Sequence, residues 1–224
     1  MRNWDAYDVY LFDIDGTLLV CHDAVHYFGF CDTLSWVAGR PLNLDGVVAH
    51  GNVDNGILRD ALALAQVDES VWRPRLSEMQ AKLCAHVETH AAELVVERLE
   101  GVREALEHLR ARGALLGVAT GNLERIGWAK LRACELAEHF DFGAFSNRWE
   151  TRADVFAAAV IEARLRRGAE ASICVVGDTP LDVSAARTCG VDVIAVATGV
   201  YAAEELRAAG PTRLVGSMRE LVAS

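Results

Sequence analysis

Four consecutive apolar residues, Val9–Phe12, run straight into two aspartates, Asp13 and Asp15, and a glycine, Gly16. A short run apolar on every residue suits a parallel strand covered on both faces, and open parallel sheets bind ligands at the carboxyl ends of their strands. The side-chain period of two sends Asp13 and Asp15 off the same side of the chain, about 6–7 Å apart along it. Two carboxylates that close repel unless a cation or a shared proton relieves them. An EF-hand loop is excluded, because its glycine stands sixth where Gly16 stands fourth, and because a strand precedes where a helix belongs. Capping of a turn is the remaining alternative for the pair alone.

The rest of the chain decides between these. Residues 22–38, 55–66 and 71–90 carry apolar side chains at spacings of three and four and read as helices, with Asp54 as N-cap of the second. Phe28, Trp36 and Trp72 are expected in the core of that helical insert. From Gly101 onward the pattern alternates: a helix over 102–112, a strand over 114–119 ending in Thr120-Gly121-Asn122, a helix over 123–133 and a short strand over 141–145. A helix then opens at Thr151-Arg152-Ala153-Asp154. Strand Ile173–Gly177 runs into Asp178-Thr179-Pro180-Leu181-Asp182, where Thr179 followed by Pro180 reads as a helix start. Strands follow at 191–196 and Arg213–Val215. Repeated β-α units with right-handed crossovers predict an α/β fold with a doubly wound parallel sheet. The insert is too long for a crossover. The chain therefore divides into a core, residues 1–19 and 96–224, and an inserted α-helical cap, residues 20–95.

A formal charge of -10 and the lack of a basic block argue against nucleic acid. The six cysteines show neither paired nor zinc-finger spacings, which suggests a reducing compartment. The amino-terminal stretch 1–8 has no apolar segment, and no run reaches the length of a membrane span. The expected setting is cytoplasmic, with no membrane partner, as a monomer or homodimer.

Strands ending in Asp13/Asp15, Thr120-Gly121-Asn122 and Asp178/Asp182 share one edge of a parallel sheet, so these clusters converge. Carboxylates with an open face suit Mg2+, which prefers oxygen ligands and is often shared with a substrate phosphate. Thr120, Gly121 and Asn122 offer a hydroxyl and amides at a helix start, an anion cradle. Acidic metal site beside anion cradle points to phosphoryl transfer. Arg152 is the expected cation, with Arg148 as second candidate. Lys130, well down its helix, is expected to be solvated. Asp182 is open to two readings, a site carboxylate or a cap of its own helix.

In this arrangement the chain resembles the haloacid dehalogenase superfamily of hydrolases, specifically the phosphoglycolate-phosphatase-like branch with a helical cap. Asp13-Ile14-Asp15-Gly16-Thr17 looks like its first motif, Thr120-Gly121-Asn122 its second, Arg152 its third and Gly177 to Asp182 its fourth. The resemblance covers the sheet segments well and the cap poorly. It implies that Asp13 is the nucleophile and forms an aspartyl phosphate, and that Asp15 is the general acid and base. It implies further that Asp13, the Asp15 carbonyl, Asp178 and Asp182 surround Mg2+. Thr120, Gly121, Asn122 and Arg152 would bind the phosphoryl group, the last tying it to Asp13. Arginine stands where the family's third motif usually has lysine, and Val53 stands where a related cap pattern has threonine. The implied substrate is a small phosphate monoester, phosphoglycolate-like or a sugar phosphate. A mutase using the same intermediate and a non-catalytic phosphate-binding relative are the alternatives. A dehalogenase would need neither Asp15 nor Asp178. His22, His26 and Asn52 are cap positions able to face the site. The crossings at 17–20 and 94–100 are the expected hinges.

Overall fold

The computed structural model describes residues 3–223, so Met1 and Arg2 of the amino-terminal stretch lie outside the described residues. Strand β1 (Val9–Phe12) is followed by β2 (Leu19–Cys21). Four helices come next, α1 (Val25–Ala38), α2 (Asp54–Leu64), α3 (Glu69–Trp72) and α4 (Leu76–Thr89), and then β3 (Val96–Arg98). Alternation begins with α5 (Val102–Ala111), β4 (Leu115–Ala119), α6 (Glu124–Ala133), β5 (Phe142–Ala144) and α7 (Arg152–Arg167). It continues through β6 (Ile173–Gly177), α8 (Pro180–Thr188), β7 (Asp192–Val196), α9 (Ala203–Ala209), β8 (Arg213–Val215) and α10 (Met218–Val222).

Six strands form one parallel sheet in the order β5-β4-β1-β6-β7-β8. Central β1 shows how its sequence dictates this place. Tyr10 and Phe12 face a core shared with α5, α6 and α10, whereas Val9 and Leu11 face a second core shared with α7, α8 and α9. All four residues are buried, so a strand with a polar face would not fit here. The β1 carboxyl end lies between those of β4 and β6, with Phe12 in register with Val118 and Val176. That register delivers Asp13, Thr120 and Asp178 to one edge.

Helices α1, α2 and α4 bury a third cluster that includes Phe30, Leu34, Leu58, Met79 and Leu83. Leu123 and Ile126, at and just inside the start of α6, belong to the same cluster. The inserted helices thus share apolar contacts with the α/β unit beneath them. Polar bonds reinforce the junction. Asn55 donates to the carbonyls of Ser146 (2.6 Å) and Trp149 (3.1 Å), and Gln80 donates to the Asn147 carbonyl (2.9 Å).

Several local expectations need correction. The crossings at 17–20 and 94–100, expected as hinges, carry strands that the periodicity does not indicate: β2 and β3 pair antiparallel as a two-stranded ribbon, with three residues each. Such a short pair is invisible to periodicity. Helix α1 starts at Val25, where the Asp23 carboxylate accepts the Val25 amide (2.9 Å), and not at His22. The third helix is broken at a short turn, Arg73–Arg75, because Pro74 lacks the amide and disfavours the helical backbone before it. Asp54 is the first residue of α2 and not its N-cap; Val53 holds that place, and the Asp54 carboxylate is engaged elsewhere. Trp72 is buried as expected, but Phe28 is 56% exposed and Trp36 39% exposed, with Arg75 stacked on the Trp36 ring. All six cysteines are free, and among the described residues no helix is long and apolar enough to cross a membrane.

Candidate active site

Asp13 follows β1 directly, and its amide donates to the Val176 carbonyl (3.0 Å), which extends the strand register by one residue. After Ile14 and Asp15 the chain reverses at Gly16, whose φ of 82° is a conformation that side chains avoid. A β-carbon there would also stand 2.7 Å from the Asp178 carboxyl carbon. Only glycine lets the loop lie against that aspartate.

The carboxylates of Asp13, Asp178 and Asp182 lie within 4.8 Å of one another, all buried. Arg152, the first residue of α7, closes this group: its guanidinium reaches Asp13 Oδ2 at 2.7 Å and Asp182 Oδ1 at 2.5 Å. Thr151 before it accepts the Asp154 amide (3.2 Å) and fixes the helix start that aims Arg152 inward. Arg148 sits on an exposed turn, so the choice between the two arginines falls on Arg152.

Asp182 caps its own helix and also lies beside Asp13 and Asp178. Its Oδ2 accepts the Thr179 amide (2.9 Å) and hydroxyl (2.8 Å) in a capping box for α8, while Oδ1 accepts from Arg152 Nε (2.6 Å). With both oxygens spent, Asp182 supports Arg152 and is poorly free to bind a metal itself. Asp178 is less committed: Oδ1 accepts the Thr17 hydroxyl (2.9 Å). Burial pushes the Asp178 carboxyl up to about 8, helped by the neighbouring Asp13 and Asp182 charges. Burial likewise raises Asp13, to about 6, against the opposing pull of Arg152. These two carboxylates therefore carry more negative charge than the protein around them neutralises. An all-oxygen set of this kind fits a hard divalent cation.

Asp15 points to a different partner. Both its oxygens accept from Lys130 Nζ (2.8 and 2.9 Å), and Oδ2 also accepts from Asn122 Nδ2 (2.7 Å). Lys130 donates as well to Asn122 Oδ1 (2.8 Å), and Asn122 Nδ2 to the Thr120 hydroxyl oxygen (2.8 Å). Burial alone would raise the Asp15 carboxyl, but the Lys130 charge and these hydrogen bonds hold it below the ordinary value. Lys130 is only 3% exposed and its ammonium is held well above the usual range. The expectation of a solvated lysine is wrong. The signal was present: Leu123, Ile126, Gly127, Lys130 and Leu131 are spaced as one face of α6, and all five are buried, so Lys130 lies on the apolar stripe.

The loop Thr120-Gly121-Asn122 lies under the inserted helices. A β-carbon on Gly121 would meet Val53 Cα at 3.0 Å and the Asn52 carbonyl oxygen closer still. The Gly121 carbonyl accepts the Asp54 amide (2.8 Å), and the Asp54 carboxylate accepts the Leu123 amide (2.7 Å). The Glu124 amide is taken by the Asn147 side chain (2.9 Å). The α6 start is thus already engaged at its first amides, and Thr120 and Gly121 line the cavity beside it. A cavity of about 380 Å³ joins these groups, and His26 and Asn52 line it. His22 does not; it pairs with Glu97 (2.8 Å) beside the β-ribbon.

With this geometry in place, similarity to known proteins is informative. A model of the haloacid dehalogenase-like hydrolase family matches residues 10–196. The chain belongs to this family. It is 29% identical to a phosphoglycolate phosphatase of Pseudomonas syringae pv. syringae, over 95% of this chain and 77% of the relative. It is 31% identical to the "Probable phosphatase IndB" of Dickeya dadantii, over 72% of this chain and 68% of that one. CbbY of Rhodobacter sphaeroides, solved in complex with phosphate, superposes with a TM-score of 0.72 at 19% identity over 96% of each chain, a likeness of fold.

Proposed function

We propose that this protein is a magnesium-dependent phosphatase of small phosphate monoesters, acting in the cytoplasm through an aspartyl phosphate on Asp13. The observation that carries this reading is the Arg152-anchored Asp13 carboxylate beside Asp178 and facing Thr120 and Gly121 across one cavity. Relatives named as phosphatases support it.

In the first half-reaction an Asp13 oxygen attacks phosphorus and the bond to the alcohol oxygen breaks. Arg152 fixes that carboxylate and, with the Thr120 hydroxyl and Gly121 amide, offsets charge on the transferring oxygens. Asp15 gives its proton to the departing alkoxide. In the second half-reaction water attacks phosphorus, its proton passes to Asp15, and the bond to Asp13 breaks, which restores the carboxylate and frees inorganic phosphate. The Lys130-held anion of Asp15 is the form that accepts this proton. A phosphate dianion arriving beside it favours the protonated form that the first half requires. Magnesium would be held by Asp13, Asp178 and the Asp15 backbone carbonyl, with Asp182 behind them, and supplies positive charge to the phosphoryl oxygens.

The test is release of the chromophore from an aryl phosphate. Wild type releases it with magnesium and stops with a chelator, while Asp13→Asn is inactive under both conditions. Chromophore release by Asp13→Asn at the wild-type rate refutes the mechanism. A sugar-phosphate isomer as main product, with little free phosphate, identifies a mutase instead.

A further inference from the structure

The cavity above the acidic cluster differs sharply between floor and roof. At the floor its two fixed cations, Lys130 and Arg152, are both already claimed: Arg152 by Asp13 and Asp182, Lys130 by both oxygens of Asp15. The inserted helices and the loop before α2 supply the roof, ten lining residues between positions 26 and 57. No lysine or arginine stands among these. The one fixed charge is negative, on Asp54, which accepts the Leu123 amide and lies 3.4 Å from His26 Nε2.

Of the roof's other polar groups, the Asn52 amide is occupied and His50 is peripheral, while the buried His26 Nε2 has no hydrogen-bond partner and lies against the Asp54 carboxylate. The Asn52 amide nitrogen donates to the Val48 carbonyl (3.2 Å) and Asp60 (3.1 Å), and its oxygen accepts the Val53 amide (2.8 Å). His26 stacks on Phe30 with ring centroids 4.7 Å apart, and His50 sits at the exposed rim. What remains is apolar surface from Tyr27, Phe30, Leu44, Ala49 and Ile57. A volume of about 380 Å³ is at the low end for ligand pockets.

A phosphoryl group on the floor would use what the two cations still offer. A second anionic group on the same molecule would then reach a roof with no cation to meet it and with Asp54 facing it. Unpaired burial of a charge beside a like charge is costly. We infer that the substrate is the monoester of a small uncharged alcohol with an apolar face, and that esters carrying a carboxylate or a second phosphate are poor substrates. This rests on the phosphatase reading of the same site. It separates the chain in specificity from the phosphoglycolate phosphatases it is similar to.

A matched pair tests it. 2-Hydroxyethyl phosphate and 2-phosphoglycolate differ only in a hydroxymethyl group replaced by a carboxylate, and n-butyl phosphate adds apolar surface. With magnesium, kcat/KM is expected to be highest for butyl phosphate and lowest for phosphoglycolate, the carboxylate costing more than about tenfold. Ala49→Arg, which puts a guanidinium on the roof, narrows that ratio. Equal or faster turnover of phosphoglycolate by wild type overturns the inference, and loss of such an advantage in His50→Ala would identify His50 as the anion's partner. If an aryl phosphate is cleaved but neither neutral ester is, the inference is wrong while the phosphatase reading stands. If the aryl phosphate too is inert, the phosphatase reading falls and takes the inference with it.

Discussion

Two buried cations flank the cavity, and they hold their carboxylates differently. Arg152 lies between Asp13 and Asp182, each nearly inaccessible, so the nucleophile candidate is clamped by a planar fork with a fixed second partner. Lys130 holds a single carboxylate, Asp15, whose side chain is 42% exposed toward the cavity. A group that must keep one position is tied by geometry. On the proposed mechanism, the group that gains and loses a proton is tied by a point charge, on the side open to the cavity.

The first way to break this contrast is to remove each cation in turn. Arg152→Ala leaves two buried carboxylates facing each other, which should cost about 3–5 kcal/mol of stability. Arg152→Lys restores charge without the fork and should recover only part of it. Denaturant unfolding of the three proteins checks both statements.

A second test uses pH in metal-free buffer. Asp13 and Asp178 have folded values of about 6 and about 8 against an ordinary 3.8, so the native state keeps protons that the unfolded chain has lost. Their contribution to stability therefore declines as pH rises from about 4 through 8, by up to a few kcal/mol. Magnesium should raise the melting temperature more at pH 8.5 than at pH 6, since protons no longer compete for the carboxylates. Asp178→Asn should flatten the pH dependence, and a wild-type melting temperature that climbs steadily over this range in metal-free buffer would contradict the assignment.

On the other side of the cavity Lys130→Met should cost about 2 kcal/mol, less than loss of Arg152 because water reaches Asp15. Lys130 holds Asp15 down, so without it the alkaline limb of kcat/KM against pH, set by loss of the proton Asp15 gives to the leaving alkoxide, moves to higher pH. A limb that stays in place would show that Asp15 does not govern it. The smallest effect is expected for Asn122→Ala, which removes the donor shared by Asp15 and Thr120 and should cost about 1 kcal/mol, measured by the same unfolding curves.

The contrast also explains what the sequence could reveal. Asp13, Asp178 and Thr120 stand at strand ends, where an apolar run stopping at polar residues marks both the element and the edge, and Arg152 stands one residue after a capping threonine. Local signals find all of these. Lys130 has no such boundary: it lies mid-helix, and its burial is set by the stripe it shares with Leu123 and Ile126 and by an aspartate 115 positions earlier. The β-ribbon of Leu19–Cys21 and Val96–Arg98 escaped for the same reason, since three-residue strands are made by their pairing partner and not by their own pattern. Phe28 and Trp36 are exposed although large aromatic residues tend inward, since spacing alone does not tell which face of α1 meets a neighbour.

On the proposed mechanism Asp13 carries the phosphoryl group during turnover. This is tested most directly by quenching the reaction in acid during steady-state hydrolysis of a phosphate monoester and mapping the modified peptide by mass spectrometry. A phosphoryl adduct on Asp13, lost on treatment with hydroxylamine and absent from Asp13→Asn, is the predicted result. An adduct on another residue, with Asp13 unmodified, would contradict it.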